Sequence, residues 1–409
     1  MLDLLAGIRV VSFNHFLLGP MGVQALADLG ADVIAIEAPE GAWQRHWSGG
    51  NIIWRDGQSM LHLTANRNKR NIALDLKSPK GRELALRLIA RADVVAENFR
   101  PGVMEKLGLG YEELKARHPS LIYASATGYG PDGPYAERPG QDLLAQALFG
   151  LMAITGQPAT GPRPVGVSAV DHHGAALFAM GILAALVRRA RTGQGCRVDA
   201  SLLQAALDLQ AESLTSWANA EPRPASVSAH RHVAGWYYAA PYGVYQTADG
   251  HLAISLSPLT SLADAIDEPR LKGFSAEETW SRRDDISGFI AERLATRPTA
   301  DWIAAMEPRK VWHAPVQDYA DVVADAQVLH LGALVDVPGA GPGGASVTLV
   351  NHPLRYDGQT GAVRLAPQPL GAQTAEVLAE IGLTAEEIAE LARDGVVRLL
   401  HDPAAGREA

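Results

Sequence analysis

Asp171 is the residue whose type and setting point most directly to chemistry. It follows the turn-rich stretch Pro162-Arg163-Pro164-Val165-Gly166-Val167-Ser168-Ala169-Val170 and precedes His172-His173-Gly174. An apolar run, Ala175 to Val187, comes next. It is too long for a strand and apolar on every face, so it reads as a buried helix with Asp171 at or near its N-terminus. Free backbone N–H groups and the helix dipole would hold the carboxylate ionised there. The same donors would stabilise an oxyanion if that carboxylate attacked a carbonyl. An aspartate at a helix start is also an ordinary cap, so the local residues support both roles.

Other candidates are weaker. Asn66-Arg67-Asn68-Lys69-Arg70-Asn71 is a local basic cluster, readable as a solvated turn or as a phosphate contact. Lys77, Arg100, Lys106 and Arg138 lie in or just after neighbouring loops, and together they suit a ligand with several phosphates. Gly128-Tyr-Gly130-Pro-Asp-Gly133 matches the dinucleotide pattern, but Pro131 and Pro134 indicate a turn with no helix after it. The first strand–helix turn, His15 to Pro20, lacks the fingerprint. His172-His173 and His230-Arg-His232 have no metal-ligand spacing, and no G-x-S-x-G elbow occurs.

Positioning these residues requires a parallel sheet. Ile8 to Phe13 and Ala31 to Ile36 read as strands around a helix, Gly22 to Leu29, which is a right-handed βαβ unit. Strands Asn71 to Leu76, Asp93 to Ala96 and Leu121 to Ala126, with helices Pro79 to Arg91 and Glu112 to Arg117, continue it. The expected fold class is α/β, an open doubly wound sheet whose ligand sits beyond the carboxyl ends of its strands. A helix over Leu202 to Trp217 closes a large domain, 1–219. A Pro- and Ser-rich linker spans 220–236. A smaller α+β domain, 237–328, opens with a hairpin about Asp249-Gly250 and continues with helices Asp284 to Ala295 and Ala300 to Met306. A C-terminal segment, 329–409, passes through Pro338 to Gly344, carries helices Ala372 to Ile381 and Ala385 to Arg393, and ends in a frayed tail, His401 to Ala409.

Bulk properties narrow the function. The 409 residues are 47% hydrophobic and 20% charged, ordinary for a folded soluble chain. Asp and Glu (45) exceed Lys and Arg (36), a net charge of -9 that argues against nucleic acid. One cysteine, Cys196, excludes an intrachain disulfide and a thiolate metal site, and it reads as a small packed residue. No signal-peptide pattern and no uncharged apolar stretch of about 18 residues occurs, so a cytoplasmic protein without a membrane span is expected.

The loops together resemble the family III CoA-transferases, a group that includes formyl-CoA transferase, carnitine CoA-transferases and α-methylacyl-CoA racemase. The similarity runs through Leu5-Ala-Gly-Ile-Arg-Val-Val, Gly19-Pro20, Leu26 to Ile34, Asn68 to Lys77, Glu97-Asn-Phe-Arg-Pro-Gly102 and Gly128 to Pro134. It continues through Asp171 with Gly181 to Leu186, Tyr245 to Gly250, His313-Ala-Pro-Val316 and Pro369-Leu-Gly371. Each motif is weak alone, but their order and spacing are specific. The resemblance implies a Rossmann-like large domain, a small domain and an interlocked homodimer. The C-terminal segment would return to the large domain. It implies coenzyme A as co-substrate, no metal, and CoA contacts at Leu18, Leu74, Asp75, Lys77, Asn98, Phe99, Arg100, Lys106, Gln141 and Asp142.

The mechanism so implied is acyl-CoA:carboxylate CoA-transfer with Asp171 as nucleophile, in a two-domain cleft that limits hydrolysis. A racemase or intramolecular isomerase on the same fold is the alternative, and a CoA-binding protein without turnover is the contrasting class. The racemase branch carries a His-Asp pair where this chain has Gln141-Asp142, and glutamine cannot shuttle an α-proton. The oxalate-type enzymes carry a first-loop Gln and a later glycine run. Leu17-Leu18 and Ala253 to Ser261 lack both. A larger or more apolar acid is expected, with Leu17 and Trp236 to Tyr238 as candidate pocket walls or, equally, ordinary packing.

Overall fold

The structure, a computed structural model, describes residues 2–49, 54–55, 58–228, 231–340 and 344–400. His230, part of Pro338–Gly344 and the expected frayed tail lie outside the described residues. The chain divides into two compact units, 1–145 with 169–206 and 326–409, and 146–168 with 207–325. Relative to the boundaries read from the sequence, the second unit also takes in 146–168 and 207–219.

The first unit is built on strands β1 (Arg9–Phe13), β2 (Asp32–Glu37), β3 (Lys69–Leu74), β4 (Val94–Glu97), β5 (Ile122–Thr127) and β6 (Arg197–Ser201). All pair in parallel. Runs such as Arg9-Val-Val-Ser-Phe and Val94-Val-Ala-Glu are almost wholly buried, as strands covered on both faces must be. A short C-terminal strand, Val397–Arg398, adds antiparallel to β3, with Val397 opposite Leu74. The resulting order is C-terminal strand-β3-β2-β1-β4-β5-β6, and it reverses direction at β1 and β4. β6 is absent from the sequence reading: Arg197-Val-Asp-Ala-Ser is short, mostly polar and only partly buried at the sheet edge.

Among the helices of this unit, those that frame the site are α1 (Leu18–Asp28), α2 (Pro79–Ile89), α3 (Asp142–Leu148, running on into the second unit) and α4 (Ala169–Thr192). α1 begins four residues before the expected start. Pro20 sits in its first turn, where a missing N–H costs nothing. α4 also begins earlier than its apolar run. It is long and apolar enough to cross a membrane by length and composition. Instead it buries Val170, Gly174, Ala175, Phe178, Ala179 and Ile182 in the unit's interior. α1 and α4 lie in backbone contact. A Cβ on Gly22 would come within 2.9 Å of Phe178 and 3.1 Å of the Ala175 carbonyl, and one on Gly174 within 2.6 Å of Leu18. Leu18 thus meets Gly174 and Gly22 meets Phe178, so the two helices run side by side with their N-termini at the same end.

The second unit carries a three-stranded antiparallel sheet from Gly243–Gln246, His251–Ile254 and His313–Pro315. Its hairpin turns at Asp249-Gly250 as expected, closed by Thr247 N–H to Gly250 O at 2.9 Å. Helices Leu259–Ile266, Arg283–Leu294 and Thr299–Met306 enclose a core of Tyr245, Leu252, Ile286, Ile290 and Trp302.

Candidate active site

The converging starts of α1 and α4 define the site. Asp171 is the third residue of α4 and lies three residues before Gly174, on the face turned toward Leu18. The expectation that helix amides hold it ionised is not met. The N–H groups of Val170 and Asp171 both donate to Asp142 Oδ1, at 2.8 and 3.0 Å. Asp142 therefore caps α4 from 29 residues away in sequence. The Asp171 carboxylate itself accepts no hydrogen bond among the described residues. Burial, then the neighbouring Asp142 charge, push its pKa from 3.8 up to about 7. Asp171 is a strained base at neutral pH rather than a relaxed cap.

Asp142 is delivered by the loop between β5 and α3. Gly128 and Gly140 close that loop through backbone contact, since a Cβ on Gly140 would lie 2.5 Å from Gly128 Cα. Inside it Tyr129 donates to Pro139 O at 3.1 Å, and the Arg138 guanidinium stacks 3.9 Å over Tyr135. Gly130 and Gly133 take positive φ in turns, and no helix follows until Asp142, so the glycine pattern builds a closed loop rather than a phosphate cradle. Gln141 is exposed beside it.

The remaining candidates line the carboxyl ends of β1, β3 and β4. Leu18 opens α1, which has no side-chain cap; Pro20 has no N–H and Met21 N–H donates to Leu17 O at 2.9 Å, so among the described residues the Leu18 and Gly19 N–H groups stay open. Asn98 ties β4 to β1, accepting from His15 N–H at 2.8 Å and donating to His15 O at 2.7 Å. The Phe99 ring lies 5.4 Å from His15. Glu97 accepts the Phe99 N–H at 2.8 Å, and burial pushes its carboxyl up to about 7. Arg100 borders a polar cavity of about 390 Å³ shared with Glu97, Tyr123, Ser125 and Arg197. Lys106 is exposed at the end of the short helix Val103–Lys106. Leu74 is buried in the core, which leaves only its backbone for a contact. Asp75 turns the chain by accepting Lys77 N–H at 2.9 Å, which leaves the Lys77 side chain exposed. Two strands separate β3 from β4, so Lys77 and Arg100 stand roughly 15 Å apart along the sheet edge.

The basic cluster Asn66–Asn71 is neither a solvated turn nor a phosphate contact. Arg67 is buried and bidentate on Asp28, at 3.0 and 2.7 Å. The buried Lys69 ammonium donates to Pro20 O, Ala65 O and Asn66 Oδ1, and burial lowers its pKa to about 7. Arg70 pairs with Asp32, Glu376 and Glu380. Leu17 is buried, and Trp236 packs inward with its Nε1 donating to Ser213 at 2.8 Å, while Tyr237 and Tyr238 are half-buried. Among the described residues no group of three or more His, Cys, Asp or Glu is arranged to hold a metal.

The role of Asp142 leads to a first prediction. Asp142→Asn keeps the oxygen that caps α4 but removes the charge beside Asp171. The acid limb of kcat/KM, which reports the free enzyme's base, should move down by about one pH unit. Asp142→Ala should instead cost about 2 kcal/mol in stability, because two helix amides lose their acceptor. A pH profile unchanged in Asp142→Asn would remove the electrostatic link.

Residues 5–374 match the sequence model of the CoA-transferase family III. An acyl-CoA transferase of Fusarium pseudograminearum is 34% identical over 408 residues, covering 96% of this chain and 88% of its own. The succinate–glutarate CoA-transferase of Agrobacterium fabrum is 34% identical over 398 residues, covering 92% of this chain and 95% of its own. The crystal structure of a CAIB/BAIF family protein from Brucella suis superposes with a TM-score of 0.78 at 32% identity, covering 92% of this chain and 98% of that one. By its sequence and its fold, the chain belongs to the family III CoA-transferases.

Proposed function

We propose that this chain moves CoA between carboxylic acids through a covalent intermediate on Asp171. The observation that carries the reading is the carboxylate itself: it is half-buried, lacks a hydrogen bond and lies where two helix starts converge at the ligand end of a parallel sheet. Once deprotonated, Asp171 attacks the thioester carbonyl. The C–S bond breaks, leaving an aspartyl–acyl anhydride and CoA thiolate. The thiolate attacks the aspartyl carbonyl, an aspartyl thioester forms, and the first acid leaves as its carboxylate. A second carboxylate then attacks that thioester and the sequence runs in reverse. No net proton is consumed. The Val170 and Asp171 amides of α4 are occupied by Asp142, so the Leu18 and Gly19 amides of α1 would stabilise the oxyanions.

In this reading the large unit is a Rossmann-like doubly wound domain, and CoA lies across its switch point. Lys77, Arg100 and Lys106 would meet the phosphates, and their exposure on the segments that follow β3 and β4 supports this. Phe99, Gln141, Asp75 and the backbone of Leu18 and Leu74 would line the path, while Asn98 and Asp142 would hold its walls. A second copy would cover the open apolar face of α4, where Met180 and Val187 are exposed, to form the interlocked homodimer. The direct test supplies an acyl-CoA and an isotopically labelled free acid. Exchange of CoA onto the labelled acid is expected, with an aspartyl adduct on Asp171 detectable by mass. Epimerisation of a 2-methylacyl-CoA with no acid present would overturn the reading in favour of a racemase.

A further inference from the structure

A row of rings crosses the ligand end of the sheet. Phe99, His15, Phe16, Trp43 and Trp47 follow one another at centroid separations of 5.4, 5.1, 5.1 and 5.2 Å. Its third and fourth members face outward: Phe16 is 39% and Trp43 52% exposed. This exposure is held in place. Phe16 has φ +60°, a left-handed conformation that a bulky side chain avoids. Its N–H donates to the buried Gln44 Oε1 at 3.2 Å. The turn carrying Trp43 and Gln44 is anchored by Glu37, which accepts from Ala42 N–H at 2.8 Å and from Arg45 through both oxygens at 2.7 Å. The strained backbone and the buried anchor together keep an apolar ring in solvent, two residues before Leu18 and the α1 start that packs beside Asp171.

The one cation carried by these loops is committed. Arg45 is committed to Glu37, and the resulting contacts hold the Glu37 carboxyl at about 2 against the effect of its burial. His46 Nε2 is engaged by Glu40 O at 3.0 Å. Burial lowers the His15 pKa to about 4, so it is neutral at physiological pH. Arg45 is the one Lys or Arg in the loops 14–20 and 38–48. Arg398 reaches the second loop by donating to Pro39 O at 3.3 Å. On the described residues of these two loops a second carboxylate would find no uncommitted cation, whereas an aromatic or branched body would find two ring faces.

We propose that Phe16 and Trp43 form the acyl-group face, and that this chain transfers CoA to and from monocarboxylic acids with an aromatic or branched apolar body rather than short dicarboxylic acids. The inference rests on Asp171 being the nucleophile.

Phe16→Gly is the discriminating variant, because glycine suits φ +60° and the fold should be retained. Trp43→Leu is the second, keeping an apolar residue on the anchored turn. With phenylacetyl-CoA as donor and acetate as acceptor, kcat/KM of either variant should fall about 30-fold. With acetyl-CoA it should change less than about threefold, since an acetyl group has no ring or branched body to pack against them. The unmodified protein should favour phenylacetyl-CoA over succinyl-CoA by at least about tenfold. Equal losses on both donors would show that the rings hold CoA itself or only the fold, and would overturn the proposal. A preference for succinyl-CoA would overturn it while leaving CoA transfer intact. If no thioester supported exchange, the transfer reading would fall and this one with it.

Discussion

Asp171→Asn is expected to abolish CoA exchange and, at the same time, to make the protein more stable above pH 7. The amide cannot displace CoA thiolate, so kcat should fall by roughly ten-thousand-fold or more, the usual loss when a covalent nucleophile is removed. Folding should survive because the α4 cap belongs to Asp142 and not to Asp171. The stability gain follows from the raised pKa. The folded chain keeps the Asp171 proton up to about pH 7, while the unfolded chain releases it near 3.8. Between those values the folded state binds more protons, so stability is fully present below about pH 4 and is lost as pH rises through about 7. The ionised carboxylate then costs about 2–4 kcal/mol, the lower end allowing for its partial exposure. Asparagine never ionises. The variant should therefore unfold with the parent at pH 4 and several degrees above it at pH 8. Retained turnover would remove the covalent mechanism. A variant destabilised equally at both pH values would show that Asp171 serves the fold.

This combination shows which parts of the site were legible in the chain. Asp171 is conspicuous because its neighbours are local: a turn-rich approach, a glycine and an apolar run that can only be helix. The strands and the C-terminal helices follow from equally local patterns, and Thr384 with Glu387 even forms the capping box that begins the last helix. What local pattern does not carry is the partner. Asp142 satisfies the α4 amides across the Gly128–Gly140 loop closure, and no spacing rule connects residues 142 and 171. The nearest signal was the pair of glycines, which the dinucleotide pattern obscured. Phe16 was missed for a related reason: its exposure depends on Gln44 and Glu37, residues of a different loop. The basic cluster misleads a local reading because its acids are distant. Arg70 finds Glu376 and Glu380 more than 300 residues on, and a charge run without visible partners reads as a surface.

That same cluster carries the largest expected loss of stability. Asp28 and Arg67 are 3% and 5% exposed and meet through two bonds. Asn68 Nδ2 donates to Asp28 at 2.8 Å, and His352 Nδ1 lies 3.3 Å from its second oxygen. Arg67 Nη1 donates to Val350 O at 2.6 Å, while Asn68 Oδ1 accepts from Arg364 and Leu365 N–H at 2.6 and 3.0 Å. The cluster therefore clasps the segment from 350 to 365 to α1 and β3. Asp28→Ala should cost about 3–5 kcal/mol, because it leaves a guanidinium buried without its counter-charge. Burial alone would raise the Asp28 carboxyl, but the neighbouring His352 ring and the bonds from Arg67 and Asn68 outweigh it and hold its pKa below 3.8. A depressed pKa gives stability that is present above the ordinary carboxylate range and lost as pH falls through the folded value. The gap between parent and variant should accordingly be full at pH 7 and narrow in strong acid. Hydrogen exchange should show residues 347–365 losing protection first, ahead of β1 and β4. Pairing Asp28→Ala with Arg67→Met removes the orphaned charge and should recover at least about 2 kcal/mol. If the double variant were no more stable than the single, the loss would lie in packing and not in the ion pair.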